Sequence, residues 1–334
     1  MKLAKANIPD QLKSFQHLVE IDLAKMDALI NNLISEREKL IFDISDYLIF
    51  SGGKRLRPIL TIICSKLINE NNDERHIALA AAVELIHTAT LLHDDVVDIS
   101  SLRRGNKTAN EKWGNKESIL VGDFLLSGAF RLMVKDGSLK ILDILSSASA
   151  VIAEGEVMQI VATNNIAMTK EEYIKIISAK TAELFASACQ VGAVVTSLSL
   201  ELEMDLRKFG FYLGIAFQIL DDMLDYSAKQ QELGKSIGDD FREGKITLPI
   251  IIAYEKSDPL DREFLVNTMC RLNQTDGDLE KAIGIIHKSN GLEESGKIAK
   301  EYIKLAESHL ASFPPSDAKD ALNTILQYSL ERSY

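Results

Sequence analysis

The chain has 334 residues, of which 46 % are hydrophobic and 26 % charged, proportions of a globular protein with a large core rather than of a disordered or fibrous one. A net charge of −11 argues against nucleic-acid binding, which calls for a basic surface, yet leaves room for an anionic small molecule held by local basic clusters. Cys64, Cys189 and Cys270 are far apart and form no C-x-x-C, which excludes a disulfide framework or a zinc site and suits a reducing cytosol.

The opening segment, M-K-L-A-K-A-N-I-P-D-Q-L-K, lacks the apolar run of a secretory signal, and no window of about 18 residues is free of charge. A cytoplasmic protein without a membrane span is expected. Residues 51–58, S-G-G-K-R-L-R-P, carry Lys54, Arg55 and Arg57 behind a glycine pair. Glycines let the backbone approach an anion, and guanidinium groups grip phosphate oxygens in pairs. No proline follows between Pro58 and Pro249, and apolar residues recur there at helical spacing, as in Phe209, Tyr212, Leu213, Phe217 and Leu220. Alternating strands bounded by tight turns are hard to find. The expected class is all-α, one large helical domain over 1–334, with no linker and no repeat.

Within that span A-L-A-A-A-V-E-L-I-H-T-A-T reads as a buried helix and ends in L-L-H-D-D-V-V-D, residues 91–98. Arg103 and Arg104 follow in the next turn. A second apolar helix, F-Y-L-G-I-A-F-Q-I-L, ends in L-D-D-M-L-D, residues 220–225, and G-K-S-I-G-D-D-F-R-E-G-K then adds Lys235 and Lys245. The segment 269–280 reads as a polar loop between helices, and Pro314-Pro315 closes one helix before a last one, A-L-N-T-I-L-Q-Y-S-L.

Both acidic segments fit D-D-x-x-D, which on a helix puts Asp94 with Asp98, and Asp221 with Asp225, on one face. Like charges at that spacing repel, and the C-terminal end of a helix disfavours them further. One such segment is readily a solvated helix end; two, each closing an apolar helix, call for cations. Oxygen-only donors point to a hard ion such as Mg²⁺, which takes one or two carboxylates and completes its shell with water and phosphate oxygens. The basic segments around both clusters make the ligand a phosphorylated one. His87 lies two turns before Asp94 on the same face and suits phosphate binding; His93 points elsewhere and reads as structural. No nucleophilic triad is evident.

In this order, G-G-K-R-L-R-P, H-D-D-V-V-D with R-R-G, G-E-V-M-Q (155–159), K-T-A-E-L-F (180–185), L-D-D-M-L-D-Y and G-K-S-I-G-D-D resemble the motifs of the trans-isoprenyl (polyprenyl) diphosphate synthases, from about residue 40 to the end. The resemblance implies an all-α fold around a deep apolar cavity, commonly a homodimer. It also implies head-to-tail condensation of isopentenyl diphosphate onto an allylic diphosphate with about two to three Mg²⁺ ions. By matching position, Asp94 and Asp98, supported by Asp95, ligate metal on the allylic diphosphate. Asp221 does so from the second cluster, with Asp222 and Asp225 behind it. Lys54, Arg57, His87 and Arg104 match the isopentenyl diphosphate site. Arg103, Lys180, Thr181, Gln218, Lys235 and Lys245 match the surroundings of the allylic substrate, with Lys180 and Lys235 stabilising the departing pyrophosphate. No protein nucleophile is implied. A terpene cyclase would lack the second D-D-x-x-D, and a silent subunit of a heteromeric synthase would have lost one or both clusters.

Product length follows from what lies before Asp94, since the growing tail runs down that helix. Thr90 and Ala89 are small, with Ile86, Val83 and Ala82 further back, and each turn adds about 5.4 Å of depth. On the following helix Phe130 or Met133 would serve as the floor. The chain end resembles the octaprenyl branch of the family, in the ubiquinone pathway. An octaprenyl-type product is therefore expected, with transient membrane contact on its release; a geranylgeranyl or other length is the alternative.

Overall fold

The computed structural model describes residues 10–50, 53–68, 73–103, 105–227 and 238–331. These residues are overwhelmingly helical, as the proline-free middle predicts. The one departure among them is a short antiparallel ladder, β1 (Leu102–Arg103) with β2 (Asn106–Lys107), in the turn after the first acidic cluster.

The chain clusters into two compact units, interleaved in sequence. The first comprises Met1–Ser149, Leu184–Gly210 and Glu307–Tyr328. It contains α1 (Gln16–Ile34), α2 (Lys39–Ile49), α3 (Leu56–Cys64), α4 (Arg75–Val97), α5 (Ala109–Trp113) and α6 (Asn115–Asp136). The centre is α4, which packs chiefly on α6 and also on α3 and α1. Residues from Leu79 to Ile86 of α4 are buried on every side, as expected for a helix apolar all round. α6 is bounded by Gly114 at φ 105 and Gly137 at φ 80, conformations that glycine adopts without strain.

Charge ties three of these helices together. Asp22 of α1 lies 2.6 Å from Lys66, just past α3, and 3.2 Å from His76 of α4. Burial works to raise the Asp22 carboxyl, but the His76 and Lys66 contacts outweigh it and hold the group down at about 2. A carboxyl depressed below its ordinary value of about 3.9 stabilises the fold above that value and ceases to do so as pH falls towards 2. Asp22→Asn is accordingly expected to lower the thermal midpoint near neutrality, with the gap to wild type closing between about pH 4 and pH 2. A gap constant across that range in paired melts would contradict it.

The second unit comprises Ala150–Glu183, Phe211–Ala306 and Ser329–Tyr334. The chain enters it within α7 (Leu139–Ala162) and re-enters it within α10 (Leu200–Leu224), after α8 (Lys170–Ile177) and α9 (Glu183–Val195). Then come α11 (Asp239–Arg242), α12 (Leu248–Lys256), α13 (Pro259–Leu265), α14 (Asp278–Lys288) and α15 (Gly291–Ser308); α16 (Asp317–Glu331), which belongs to the first unit as far as Tyr328, closes the chain. The polar stretch near 269–280 shortens to the loop before Asp278, and the two prolines do separate α15 from α16. Local chemistry sets the starts. Thr169 and Glu172 form a reciprocal cap on α8, and Asp258 accepts the Leu260 and Asp261 amides ahead of Pro259. The core of this unit gathers Tyr173, Ile215, Ile219, Tyr226, Phe241, Ile250 and their neighbours.

Two helices approach a membrane span by length and hydropathy, α4 and α7. The apolar window of α4 is 72 % buried, so its composition is that of a core helix; that of α7 is 22 % buried.

Candidate active site

In the first unit, the end of α4 carries the first acidic cluster. Asp94 and Asp98 are half-buried on one face, and Asp98 is the C-cap residue, its amide donating to the Asp94 carbonyl at 2.8 Å. Asp95 points the other way and is buried at 1 % exposure. Arg103 of β1 clasps it, Nη2 donating at 2.7 Å and Nε at 2.9 Å to Oδ1. That fork fastens the turn after the cluster to the helix. Thr108 Oγ1 and Asn110 Nδ2 then donate to the Ser100 carbonyl at 2.6 and 3.1 Å, closing the turn. Ile99 sits in it at φ 53, a strained conformation for a β-branched residue, held because both sides of the turn are anchored. His93 Nε2 lies 3.3 Å from the Ile119 carbonyl and 3.4 Å from Asp123, pinning the same helix end to α6.

The basic segment 53–57 leads into α3. Arg57 lies with its guanidinium 4.4 Å from the centre of the Phe185 ring, and its Nη1 is 3.2 Å from His87 Nε2. Its Nε is buried without a hydrogen-bond partner. Burial pushes the guanidinium down to about 10 against the pull of Glu84, so it remains cationic at neutral pH. Phe185 can underlie Arg57 because α9 presses tightly on α3: a Cβ on Gly192 would lie 2.6 Å from the Thr61 carbonyl, and Thr61 Oγ1 donates to the Ala188 carbonyl at 3.0 Å. Lys54 Nζ lies 5.5 Å from the Tyr328 ring of α16. The first unit thus brings Lys54, Arg57 and His87 onto neighbouring elements, with Asp94 two turns along α4 from His87. Arg104 lies outside the described residues.

Below the cluster, Ala89 is 1 % exposed and Ile86, Val83 and Ala82 are fully buried, while Thr90 is half-buried and bonded to the His87 carbonyl. Of the two floor candidates on α6, Met133 is fully buried and Phe130 is 36 % exposed, so Met133 alone is enclosed within the unit.

In the second unit, α10 ends in the other cluster with its three carboxylates in different surroundings. Asp221 is exposed, whereas Asp222 and Asp225 are buried. Asp222 accepts from Tyr173 Oη and from Gln218 Nε2, each at 2.6 Å. Asp225 accepts the backbone amides of Asp239 and Asp240 at 3.3 and 3.0 Å, which binds the G-D-D segment to the helix end. Burial pushes Asp222 up to about 7 and Asp225 up to about 6 despite these hydrogen bonds. A cation beside such a cluster relieves the cost of keeping it ionised. Beside an ionised Asp222, which only accepts, the Gln218 amide nitrogen donates to the carboxylate and its oxygen accepts from Thr181 Oγ1 at 2.8 Å. The carbonyl oxygen of Gln218 is therefore engaged by Thr181.

Lys180 and Thr181 stand on a π-helical turn, Ser178–Ala182, between α8 and α9; such turns redirect side chains at functional sites. Lys180 Nζ meets Glu156 Oε2 at 2.6 Å and Gln159 Oε1 at 2.5 Å, both on α7. This accounts for Gly155, Glu156 and Gln159 of G-E-V-M-Q, because Gly155 is where α7 touches that turn: a Cβ there would lie 2.6 Å from the Lys180 amide nitrogen. Gly155→Ala is expected to displace the turn, costing about 1–3 kcal/mol and lowering turnover. An unchanged melt and kcat would show that the turn tolerates it. Lys245 pairs with Glu243 at 2.7 Å, and Lys235 lies outside the described residues.

Tyr173 has no motif around it and was invisible in the sequence; its role appears only when α8 lies beside Asp222. Among the described residues no three His, Cys, Asp or Glu side chains gather closely enough to hold an ion by themselves. The donor set nevertheless fits Mg²⁺: hard oxygens, few per ion, with the remaining positions left to water and phosphate oxygens.

Comparison with known proteins points the same way. Residues 38–286 match the family model described as polyprenyl synthetase. The chain is 37 % identical over 321 residues to the octaprenyl diphosphate synthase of Escherichia coli (strain K12), covering 96 % of this chain and 99 % of that one. It is 39 % identical over 311 residues to an all-trans-nonaprenyl-diphosphate synthase (geranyl-diphosphate specific) of Rhodobacter capsulatus, covering 93 % and 95 %. A polyprenyl synthase from Caulobacter crescentus CB15, solved in complex with calcium and isoprenyl diphosphate, superposes with a TM-score of 0.93 at 43 % identity, covering 97 % and 98 %.

Proposed function

This chain belongs to the polyprenyl synthetase family and is a prenyltransferase, and from that premise we propose an octaprenyl-type, all-trans, magnesium-dependent synthase. It would extend an allylic diphosphate such as farnesyl diphosphate with isopentenyl diphosphate, as a single synthase domain acting as a cytoplasmic homodimer and supplying a quinone side chain. The observation that carries the long product is the build of α4: half-buried Asp94 and Asp98 close a helix whose preceding turns carry the small buried residues Ala89, Thr88 and Ala82.

In this reading Asp94, Asp98 and Asp221 hold the ions, and Asp95, Asp222 and Asp225 act behind them. Asp95 fixes the following turn through Arg103, Asp222 holds Gln218 and Tyr173, and Asp225 holds the G-D-D segment. Bound Mg²⁺ would neutralise charge developing on the departing pyrophosphate. Lys180, steadied by Glu156 and Gln159, would share that task with Lys235, and Lys245 would lie near the same diphosphate. Lys54, Arg57 and His87, with Arg104, would bind isopentenyl diphosphate. An apolar wall keeps water from a reactive allylic cation.

The test is to incubate the purified chain with farnesyl diphosphate, labelled isopentenyl diphosphate and Mg²⁺, then size the dephosphorylated products. A ladder ending at octaprenyl is expected. A ladder ending at geranylgeranyl would overturn the length, and no elongation would overturn the function and favour a silent subunit.

A further inference from the structure

Segment 53–57 carries three cations, and only Lys54 and Arg57 are assigned above to isopentenyl diphosphate. We propose that Arg55, with Asp27 of α1, is a positioning pair that fixes the backbone presenting Lys54 and Arg57, without touching substrate. The proposal rests on that assignment.

Arg55 is built inward. Its backbone takes φ 48, a left-handed conformation that L side chains rarely adopt, at the N-cap of α3. Its side chain is 4 % exposed and bonded to the carboxylate of Asp27, itself 5 % exposed. Nη2 donates at 2.9 Å to the Ile49 carbonyl at the end of α2, and the guanidinium lies 5.6 Å from the Phe50 ring. One fork therefore joins the middle of α1, the end of α2 and the start of α3, while Lys54 lies by Tyr328 and Arg57 on Phe185. With both terminal nitrogens engaged and the group buried, Arg55 is not available to a diphosphate.

The burial argues for geometry over stability. Burial pushes the Asp27 carboxyl up, opposed by Arg55, so the pair works against its own desolvation. Apolar residues of similar size commonly serve a fold as well as a buried ion pair does. What they lack is direction: a planar guanidinium satisfies two acceptors at fixed angles and so fixes the turn between them. A strained turn between two substrate-binding cations is where such a constraint has an effect.

The test uses the full-length chain with Mg²⁺, each diphosphate varied in turn, and a melt for every variant. Asp27→Leu/Arg55→Met removes both charges and keeps the packing. It is expected to melt near wild type, to raise KM for isopentenyl diphosphate about 10-fold, and to leave KM for the allylic diphosphate within about twofold. Arg55→Lys, which keeps the charge and loses the fork, is expected in between; should the double variant not fold, it decides by the same two constants. An isopentenyl diphosphate KM within about twofold of wild type would overturn the proposal, as would both constants rising together with a falling melt. A wild-type chain that consumes no isopentenyl diphosphate would overturn the functional reading and this proposal with it.

Discussion

Asp94→Ala is expected to lower kcat by about 10³-fold or more, with its Mg²⁺ requirement shifted to higher concentration. The residue is half-buried in the last turn of α4, one turn from the like-charged Asp98 and at the negative end of the helix dipole. As a metal ligand in the proposed reaction, this carboxylate would do its work as charge develops on the leaving diphosphate, so its loss should fall on turnover more than on binding. Asp95→Asn supplies the contrast. That carboxylate is 1 % exposed and bound to Arg103, so the variant is expected to lose thermal stability first. Turnover of Asp94→Ala within tenfold of wild type at saturating Mg²⁺ would end the metal-ligand assignment.

Ala89→Tyr is expected to shorten the product, from the octaprenyl length proposed for the wild type to geranylgeranyl or shorter. Ala89 is buried at 1 % exposure, and the fully buried Ile86 lies the next turn back. A tyrosine there occupies the depth of one to two turns, each about 5.4 Å, which the lengthening tail would need. Overpacking costs about 1–3 kcal/mol, so the variant is melted before its products are sized. Ala89→Leu, smaller and unbranched at Cβ, is expected to stop at intermediate lengths. A folded Ala89→Tyr enzyme that still makes the wild-type chain would show that the tail does not run past this face of α4.

The helical class and both acidic clusters were legible in the sequence because their causes are local. Proline is missing from one long span, apolar residues repeat at the helical period, and carboxylates four apart share a face whatever the tertiary context. The motifs around Lys54, His87, Lys180 and Asp221 were legible for a different reason, their order along the chain. Residue types alone did not distribute the tasks. Arg55 and Arg57 are two positions apart and alike in chemistry, yet one enters a buried pair with Asp27 and the other lies on Phe185 beside His87. Asp221, Asp222 and Asp225 differ in the same way, one exposed and two bonded inside the fold.

By itself, then, the sequence determined the helices, the positions of the two clusters and the small residues before Asp94, since each depends on neighbours within a few turns of chain. The tertiary structure decided which charges are inward-facing anchors. Tyr173 reaches Asp222 across 49 positions of sequence, and Arg55 reaches Asp27 across 28. The partner of a buried charge is whichever group the packed core delivers to it, and no local pattern encodes that delivery.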